Sequence, residues 1–404
     1  MNEKKVPELR FKGFFEDWEQ RKLGDLIEQV IREVPKPNDP YFRMSVRSHA
    51  KGTFKQFVDD PKKIAMDKLF LVRKNDLVVN ITFAWEHAIA VVPDRDDGLL
   101  VSHRFPTYRA DGKSDIEFLH YMVSKEEFRQ QLELISPGGA GRNRVLNKNN
   151  FIKLKVTVPN LIKEQEKIGT FFKQLDDTIV LHQRKLELLK QLKQAYLQQM
   201  FPKKDEKIPE LRFAGFEDDW EKRKLTDITT TYSGLTYSPS DIQDKGTFVL
   251  RSSNVKNDQV VNADNVYVNT DIVNSKTVKV GDVIVVVRNG SRSLIGKHAI
   301  IKEDMPNTVI GAFMSAFRGE NGSYVNALLS TDKFQKEVHK SLGATINQIT
   351  GKDFSMMTFS TPVLEEQLKI GTFFKQLDNT ITLHQNKIEQ LNSLKLALLK
   401  KMFI

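Results

Sequence analysis

The chain repeats itself once over its 404-residue length, with matched residues 202 positions apart. The segment that starts at Pro7 (PELRF) returns at Pro209, and residues 167–176 (KIGTFFKQLD) recur unchanged as 369–378. Between these matched blocks the two copies share little beyond a hydrophobic pattern. Such a period excludes a solenoid, whose repeats run to about 50 residues. The sequence therefore predicts a duplicated module, with constant segments and one variable segment in each copy.

The composition is that of a basic globular chain without cysteine. The formal net charge is +10, with 28% charged and 40% hydrophobic residues, and a positive balance favours a polyanionic partner such as nucleic acid. The absence of cysteine excludes disulfides, thiol catalysis and cysteine-ligated zinc, and agrees with a cytoplasmic protein. No apolar run approaches the roughly 18 residues of a membrane span. The N-terminus lacks the apolar stretch of a signal peptide.

The two variable segments, about residues 24–158 and 226–361, share one pattern of elements. Apolar runs such as 77–81 and 283–287 are typical of strands, and residues 117–134 and 323–341 have helical spacing. Both segments are therefore predicted to be copies of one mixed α/β domain, so the fold class is α/β (α+β).

A long helical pattern follows each variable segment, after Pro159 and after Pro362. Apolar residues recur in steps of four and three over about five heptads, which predicts a coiled-coil seam. Each helix, at ~36 residues, would be about 54 Å long. Connectivity makes the two helices antiparallel, with one variable domain at each end and a pseudo-two-fold axis between them. The predicted seam residues are Ile168, Phe172, Leu175, Ile179, His182, Leu186, Ile370, Phe374, Leu377, Ile381, His384 and Ile388.

The repeat also predicts the domain boundaries. Residues 1–158 form the first domain, with a constant segment at 6–26, and residues 159–207 form a central helix. Residues 208–361 form the second domain, with a constant segment at 208–228, and residues 362–404 form a C-terminal helix.

At this point the residues resemble a known family. The opening V-P-E-L-R-F…D-W and the block I-G-T-F-F-K-Q-L-D…L-H-Q are similar to those of type I restriction-modification specificity subunits, and the duplicated plan matches over essentially the whole chain. The resemblance implies that the variable domains are target recognition domains, which each read half of a split sequence in double-stranded DNA. It implies that the helices set the spacer and bind methyltransferase subunits, two of them by the duplication, with restriction/translocase subunits completing the complex. It also implies no catalytic residue and no cofactor in this chain, since S-adenosylmethionine, ATP and Mg belong to the partner subunits.

The search for reactive groups agrees with that implication. The chain contains neither the N-P-P-[YFW] motif of amino-methyltransferases nor a G-x-x-x-x-G-K-[ST] phosphate loop. His182 and His384 are equivalent seam positions, and we favour a role in helix register over a metal site or pH switch, so no metal is expected. Trp18 and Trp220 lie in the constant segments, which favours packing at the junction of domain and helix over base stacking. For Arg10 and Arg212 a solvated face and a contact to phosphate or partner stay equally open.

Residues that read DNA are expected in the variable domains, because specificity requires variation. Arginine, lysine, asparagine, glutamine and serine make the usual contacts to base edges, and glycine beside them lets the backbone approach phosphates. The candidates are Arg43, Ser45, Arg47, Lys51, Asn80, Trp85, Arg142 and Arg144 in the first domain, and Arg251, Ser253, Asn254, Arg288, Asn289, Ser291, Arg292, Asn347 and Gln348 in the second. Phe171 and Phe373, adjacent to seam residues, are the candidates for docking the methyltransferase.

The leading hypothesis is a non-catalytic DNA-specificity subunit with a role in DNA methylation and host defence. The alternatives are a protein-binding adaptor and an inactive or orphan specificity protein. A self-contained methylating or restricting enzyme is disfavoured by the missing motifs.

Overall fold

The computed structural model describes residues 6–138, 144–203, 206–342 and 347–404. The chain divides into two compact units, which we call unit 1 (residues 1–182 with 387–404) and unit 2 (residues 183–386). Each unit therefore combines one variable segment with half of each long helix. No helix within the described ranges is long and apolar enough to cross a membrane.

Unit 1 contains eleven strands and three short helices among its described residues, together with parts of the long helices α4 (Ile162–Gln199) and α9 (Leu364–Met402). The short helices are α1 (Ile116–Val123), α2 (Glu126–Leu134) and α3 (Lys148–Phe151). The strands are β1 (Glu19–Lys22), β2 (Glu28–Val30), β3 (Glu33–Pro35), β4 (Tyr41–Val46), β5 (Thr53–Val58), β6 (Lys68–Leu71), β7 (Leu77–Val79), β8 (Ile89–Val91), β9 (Leu100–Val101), β10 (Thr107–Arg109) and β11 (Lys155–Val158).

These strands form three sheets. A four-stranded antiparallel sheet has the order β2-β10-β7-β8, and a five-stranded sheet has the order β3-β6-β9-β4-β5. Strand β1, from the constant segment, pairs only with β11, which leads into α4. The central strand β7 is wholly buried, because the sheet packs beneath helices on one face and against the five-stranded sheet on the other. Such burial explains its uninterrupted apolar sequence.

Unit 2 repeats this plan among its described residues. Its short helices are α5 (Leu225–Ile228), α6 (Gly322–Leu329), α7 (Asp332–Ser341) and α8 (Gly351–Met356). Its strands are β12 (Glu221–Lys224), β13 (Thr230–Ser233), β14 (Ile242–Gln243), β15 (Thr247–Leu250), β16 (Val255–Lys256), β17 (Gln259–Val260), β18 (Val266–Val268), β19 (Val283–Val286), β20 (His298–Ile300), β21 (Thr308–Ile310), β22 (Met314–Arg318) and β23 (Thr358–Thr361).

Comparison of strand orders shows which sheets of unit 1 are repeated in unit 2. Its four-stranded sheet β13-β22-β19-β20 follows the same order as β2-β10-β7-β8 in unit 1, and β12 pairs with β23 as β1 pairs with β11. The second sheet differs, since β14-β18-β15-β21 has four strands where unit 1 has five. The predicted pair of mixed α/β domains is confirmed, and the divergence lies in the second sheet.

Within each unit the two long helices run antiparallel. In unit 1 an ion pair of 2.5 Å joins Asp176 of α4 to Lys395 of α9, and Phe172, earlier in α4, packs against Phe403, which follows α9. In unit 2 the repeat-equivalent pair, Lys193 and Asp378, lies at 2.7 Å. The aspartates come from the unchanged block, so this block supplies one half of each ion pair.

The glycine of the unchanged block allows a close approach between helices. Gly169 of α4 lies against the first turn of α1, where a β-carbon would come within 2.6 Å of the Phe118 backbone nitrogen. Gly371 of α9 lies in the same way against Tyr324 of α6, at 2.7 Å. Any larger residue would push the long helix away from α1 or α6, which explains why glycine stands at both positions.

The constant segments are fastened to the long helices by buried ion pairs. The Arg10 guanidinium donates to both carboxylate oxygens of Glu164 at 2.6 and 2.8 Å, and Arg212 does the same to Glu366 at 2.8 and 2.9 Å. Both glutamates are buried, and their hydrogen bonds raise the pKa of the two arginines. Neither alternative left open for Arg10 and Arg212 describes them: both form structural ion pairs, which hold the constant segment on the helix.

The two tryptophans of the constant segments are core residues. Trp18 packs edge-on against Phe118 and Phe403, and Trp220 packs edge-on against Phe201. Both indoles are buried, so they cannot stack on bases, in agreement with the packing interpretation. Phe201 and Phe403 are repeat equivalents that follow the ends of α4 and α9.

The predicted seam residues are all buried or half-buried. Four of them do more than pair helices, because Ile168 and Phe172 belong to the main core of unit 1, and Ile370 and Phe374 to that of unit 2. The seam prediction therefore needs a correction at these positions: they lie within the first three turns of each long helix, which pack on the variable domain.

Candidate nucleic-acid interface

In unit 2 the predicted loops converge at one end of the four-stranded sheet. The loop after β19 contains Arg288 and Asn289, and the Asn289 side chain donates to Ser252 Oγ at 3.2 Å. Asn347 donates from its side chain to the Gly290 carbonyl at 3.4 Å. Loops near residues 252, 288–292 and 347 thus form one surface, although they lie far apart in sequence.

Arg288 lies at the centre of this surface. Its guanidinium carbon lies 5.0 Å from the centre of the Phe313 ring, and the ring is 54% exposed. The backbone of Arg288 forms an antiparallel bridge with Gln348, which makes the two residues direct cross-strand neighbours. The surface therefore presents an arginine, an amide and an aromatic ring side by side.

Other candidates of unit 2 hold the loops together. The Arg251 guanidinium donates to the backbone carbonyl of Asp264, and Arg292 donates to that of Leu342 at 3.0 Å.

Asn254 is fully buried and donates to the Ala263 carbonyl at 2.7 Å. Asn254 cannot reach a base edge, so its prediction as a DNA contact is corrected to a structural role. Ser253 has a buried hydroxyl, while Ser291 is exposed and within 2.9 Å of Ser293.

In unit 1 the hairpin of β4 and β5 carries four candidates. Arg43 lies opposite Gln56 in the strand register, and its Nε donates to Gln56 Oε1 at 2.9 Å. Arg47 stacks at 5.0 Å on Phe54, the residue opposite Ser45. Lys51 is exposed in the turn. The side chains at 43, 45 and 47 alternate with the buried Met44 and Val46, so they point away from the core.

The tip of this hairpin contacts the loop after β7. The His49 backbone nitrogen donates to the Glu86 carbonyl at 2.8 Å, and Ser48 donates to the Glu86 carboxylate at 2.6 Å. Trp85, in the same loop, lies under Arg144, whose guanidinium carbon is 5.4 Å from its ring. Arg144 also donates to Glu133 at 3.0 Å and thereby lowers the pKa of that carboxyl. The predicted residues of unit 1 thus also form one surface.

Two candidates of unit 1 stand apart. Asn80 is buried, and its side-chain oxygen accepts a hydrogen bond from the Thr82 backbone nitrogen at 3.1 Å. Its prediction as a DNA contact is corrected to that of a turn residue. Arg142 lies outside the described residues.

Sequence reasoning missed two residues of these surfaces. Gln56 becomes visible only when the hairpin register is known, because nothing in the sequence places it opposite Arg43. Phe313 was not among the candidates, and no local pattern in the sequence signals that its ring is exposed beneath Arg288.

Phe171 and Phe373, the docking candidates, are partly buried. Phe171 packs edge-on against Phe11 at 5.7 Å, and Phe373 packs edge-on against Tyr196 at 5.0 Å. Larger apolar exposure occurs elsewhere on the long helices. Leu181 of α4 is 66% exposed and its repeat equivalent Leu383 of α9 is 67% exposed.

His182 is half-buried and His384 is buried. Across the described ranges, no group of three or more histidine and acidic side chains is placed to hold a metal ion.

The chain matches one family model twice. The model for the type I restriction modification DNA specificity domain covers residues 15–191 and again 217–393, which together include most of the chain. The two matched ranges are offset by the same 202 residues as the internal repeat.

Individual relatives agree with this match. The chain is 24% identical over 94% of its length to the type I restriction enzyme MjaVIII specificity subunit of Methanocaldococcus jannaschii, of which it covers 90%. Its fold is similar to the crystal structure of a type I restriction-modification S subunit from M. genitalium, with a TM-score of 0.64, 15% identity and 99% of both chains covered. A structure described in terms of complex assembly and conformational transition of the type I R-M system matches at TM-score 0.51 and 18% identity, over 96% of this chain and 97% of that one.

Proposed function

Because the chain belongs to the family of type I restriction modification DNA specificity domains, we propose that its two units read the two halves of a split DNA target. The chain is the specificity component of a type I complex and has no catalytic role of its own. Double-stranded DNA and the other restriction-modification subunits are its partners.

One observation carries the proposal. Each unit gathers polar residues from separate loops of its variable segment into one surface, around Arg288 in unit 2 and around Arg43 and Arg47 in unit 1. The four-stranded sheet has the same strand order in both units, while the second sheet and the residues on the surface differ. This is the arrangement expected when one framework serves two different DNA sequences, since base edges are read by side chains and the framework carries no sequence information.

We expect two methyltransferase subunits to dock on the long helices. Leu181 and Leu383 are exposed at equivalent positions, and so are Leu192 and Leu394, at 42% and 49%. Unit 1 thus exposes Leu181 and Leu394, and unit 2 exposes Leu383 and Leu192. Two copies of one partner need two equivalent docking surfaces, and we propose that these repeat-equivalent leucines form them. They replace Phe171 and Phe373 as the primary docking residues, because those rings are already packed.

The chemistry of modification and cleavage then belongs to the partner subunits. We propose that S-adenosylmethionine binds the methyltransferase and that ATP and Mg serve the restriction/translocase subunit. A cytoplasmic location follows from that assembly. The adaptor and orphan alternatives receive no support from the family match.

The helices are proposed to set the gap between the two half-sites. Four residues inserted after Leu186 in α4 and four after Ile388 in α9 would lengthen each helix by about 6 Å. At about 3.4 Å per base pair, we expect the recognised spacer to grow by nearly two base pairs while both half-sites stay the same. Sequencing of the methylated sites measures the spacer. An unchanged spacer in a fully assembled complex would contradict this role, and an insertion in α4 alone serves as the mismatched control.

Selection from randomised duplex DNA by the purified complex with its methyltransferase subunits tests the function directly. We expect two short fixed blocks separated by a constant gap, and an affinity that falls steeply as salt concentration rises. An adaptor would select no sequence.

A further inference from the structure

Arg288 is the arginine of unit 2 whose donors are left available. Within the described ranges its guanidinium makes no hydrogen bond or ion pair, and its contact is the stack on Phe313. Arg251 and Arg292, by contrast, are bound to backbone carbonyls. Arg288 is exposed at the centre of the proposed DNA surface. All five of its N–H donors can therefore bind acceptor atoms of a ligand.

Phe313 fixes the plane of this guanidinium. Its carbonyl accepts hydrogen bonds from the backbone nitrogens of Val287 and Arg288, at 2.9 and 3.3 Å, so the two residues are fastened together at the backbone. Stacking on an aromatic face orients a guanidinium without using its N–H groups. The stack therefore holds the guanidinium in place with its donors unused, which reduces the entropy lost on binding.

Gln348 is a second side chain that can form hydrogen bonds to a base. It pairs directly with Arg288, and the Ile349 nitrogen next to it donates to the Val287 carbonyl at 2.9 Å, which fixes the register. Opposite residues in an antiparallel pair have their β-carbons about 5 Å apart, while successive base pairs lie about 3.4 Å apart. The two side chains can therefore reach neighbouring base pairs.

Arginine forms its specific bidentate contact with guanine O6 and N7, and glutamine forms one with adenine N6 and N7. We propose that unit 2 reads a guanine through Arg288, held in place by Phe313, and a neighbouring adenine through Gln348. This inference rests on the proposed function and names the bases that one half-site must contain.

The test compares the methylated motifs, and their relative rates of methylation, for the whole complex carrying wild-type chain, Arg288→Ala or Gln348→Ala. We expect the wild-type motif to contain adjacent guanine and adenine in one half-site. Arg288→Ala should reduce the preference for that guanine by about 5- to 150-fold, and Gln348→Ala should do the same for the adenine. The other half-site should stay unchanged.

Three further variants provide controls. Arg43→Ala, in unit 1, should leave the guanine read by Arg288 untouched. Phe313→Ala should weaken the guanine preference without changing copurification of the partner subunits, and Phe313→Tyr, which retains a ring for stacking, should restore it. Loss of copurification in Phe313→Ala would mark a structural role and contradict the positioning role.

The outcomes separate this inference from the proposed function. A split motif without guanine in either half would overturn the inference and leave the function intact. If Arg288→Ala lowered methylation equally at all sequences, the residue would be a phosphate contact, and the inference would again fail. If the wild-type complex produced no split motif, the proposed function itself would fail.

Discussion

A chain with Leu181→Asp and Leu383→Asp is expected to purify without methyltransferase subunits and to direct no DNA methylation. Each substitution replaces an exposed leucine of the proposed docking surface with a charge, and burial of an unpaired carboxylate in an interface costs several kcal/mol. Because both side chains are solvent-exposed in the chain itself, the fold should not change. Affinity copurification followed by quantification of each subunit measures the effect.

The single variants test the stoichiometry. Leu181→Asp alone should leave one methyltransferase subunit bound through the unaltered surface of unit 2, and Leu383→Asp alone should leave one bound through unit 1. Leu181→Met with Leu383→Met, which keeps the apolar surface, should behave as wild type. Two methyltransferase subunits still bound to the double aspartate variant would show that docking takes place elsewhere.

Phe403→Ala should destabilise unit 1 selectively, by about 3–5 kcal/mol. The ring is buried among Trp18, Phe118 and Phe172, and these four aromatic residues join the end of α9, the constant segment, α1 and α4. Removing it opens a cavity at the point where all four elements meet. Since a chain with two units need not unfold in one step, hydrogen exchange resolved by peptide is the appropriate measurement.

In Phe403→Ala, core peptides of unit 1 should exchange about a hundredfold faster or more, while those of unit 2 stay near wild type. Phe201→Ala, the repeat equivalent, should give the reverse pattern, because Phe201 packs against Trp220, Tyr324 and Phe374. Phe15→Ala, at a ring that is 88% exposed, should change neither. Equal acceleration in both units after Phe403→Ala would contradict the assignment of the ring to unit 1.

The parts of the fold that repeat in the sequence could be predicted from it. The long helices have apolar spacing over many turns, and the central strands β7 and β19 are uninterrupted apolar runs, so periodicity was sufficient for both. Periodicity could not predict the ion pairs of Arg10 and Arg212. Their glutamate partners lie 154 residues further along the chain, and only the folded constant segment brings them together.

The sequence was sufficient to predict which loops form the candidate site. It was not sufficient to predict which polar side chains of those loops are exposed. Arginine, serine and asparagine mark the loop at 288–292, but the same residue types mark the turn at 251–254, where the Asn254 side chain is buried and bonded to the Ala263 carbonyl. Whether a polar side chain points outward or inward depends on the backbone around it. The partnership of Arg288 with Phe313 and Gln348 likewise depends on strand register.

The central claim is that this chain directs methylation to a split DNA sequence. The most direct test is single-molecule sequencing of the methylome of a host that expresses the chain with a methyltransferase subunit, compared with the same host without the chain. We predict one new motif, made of two short half-sites around a fixed gap, which appears only when the chain is present. An assembled complex that produces no new methylation, or methylation at a single undivided site, would contradict the claim.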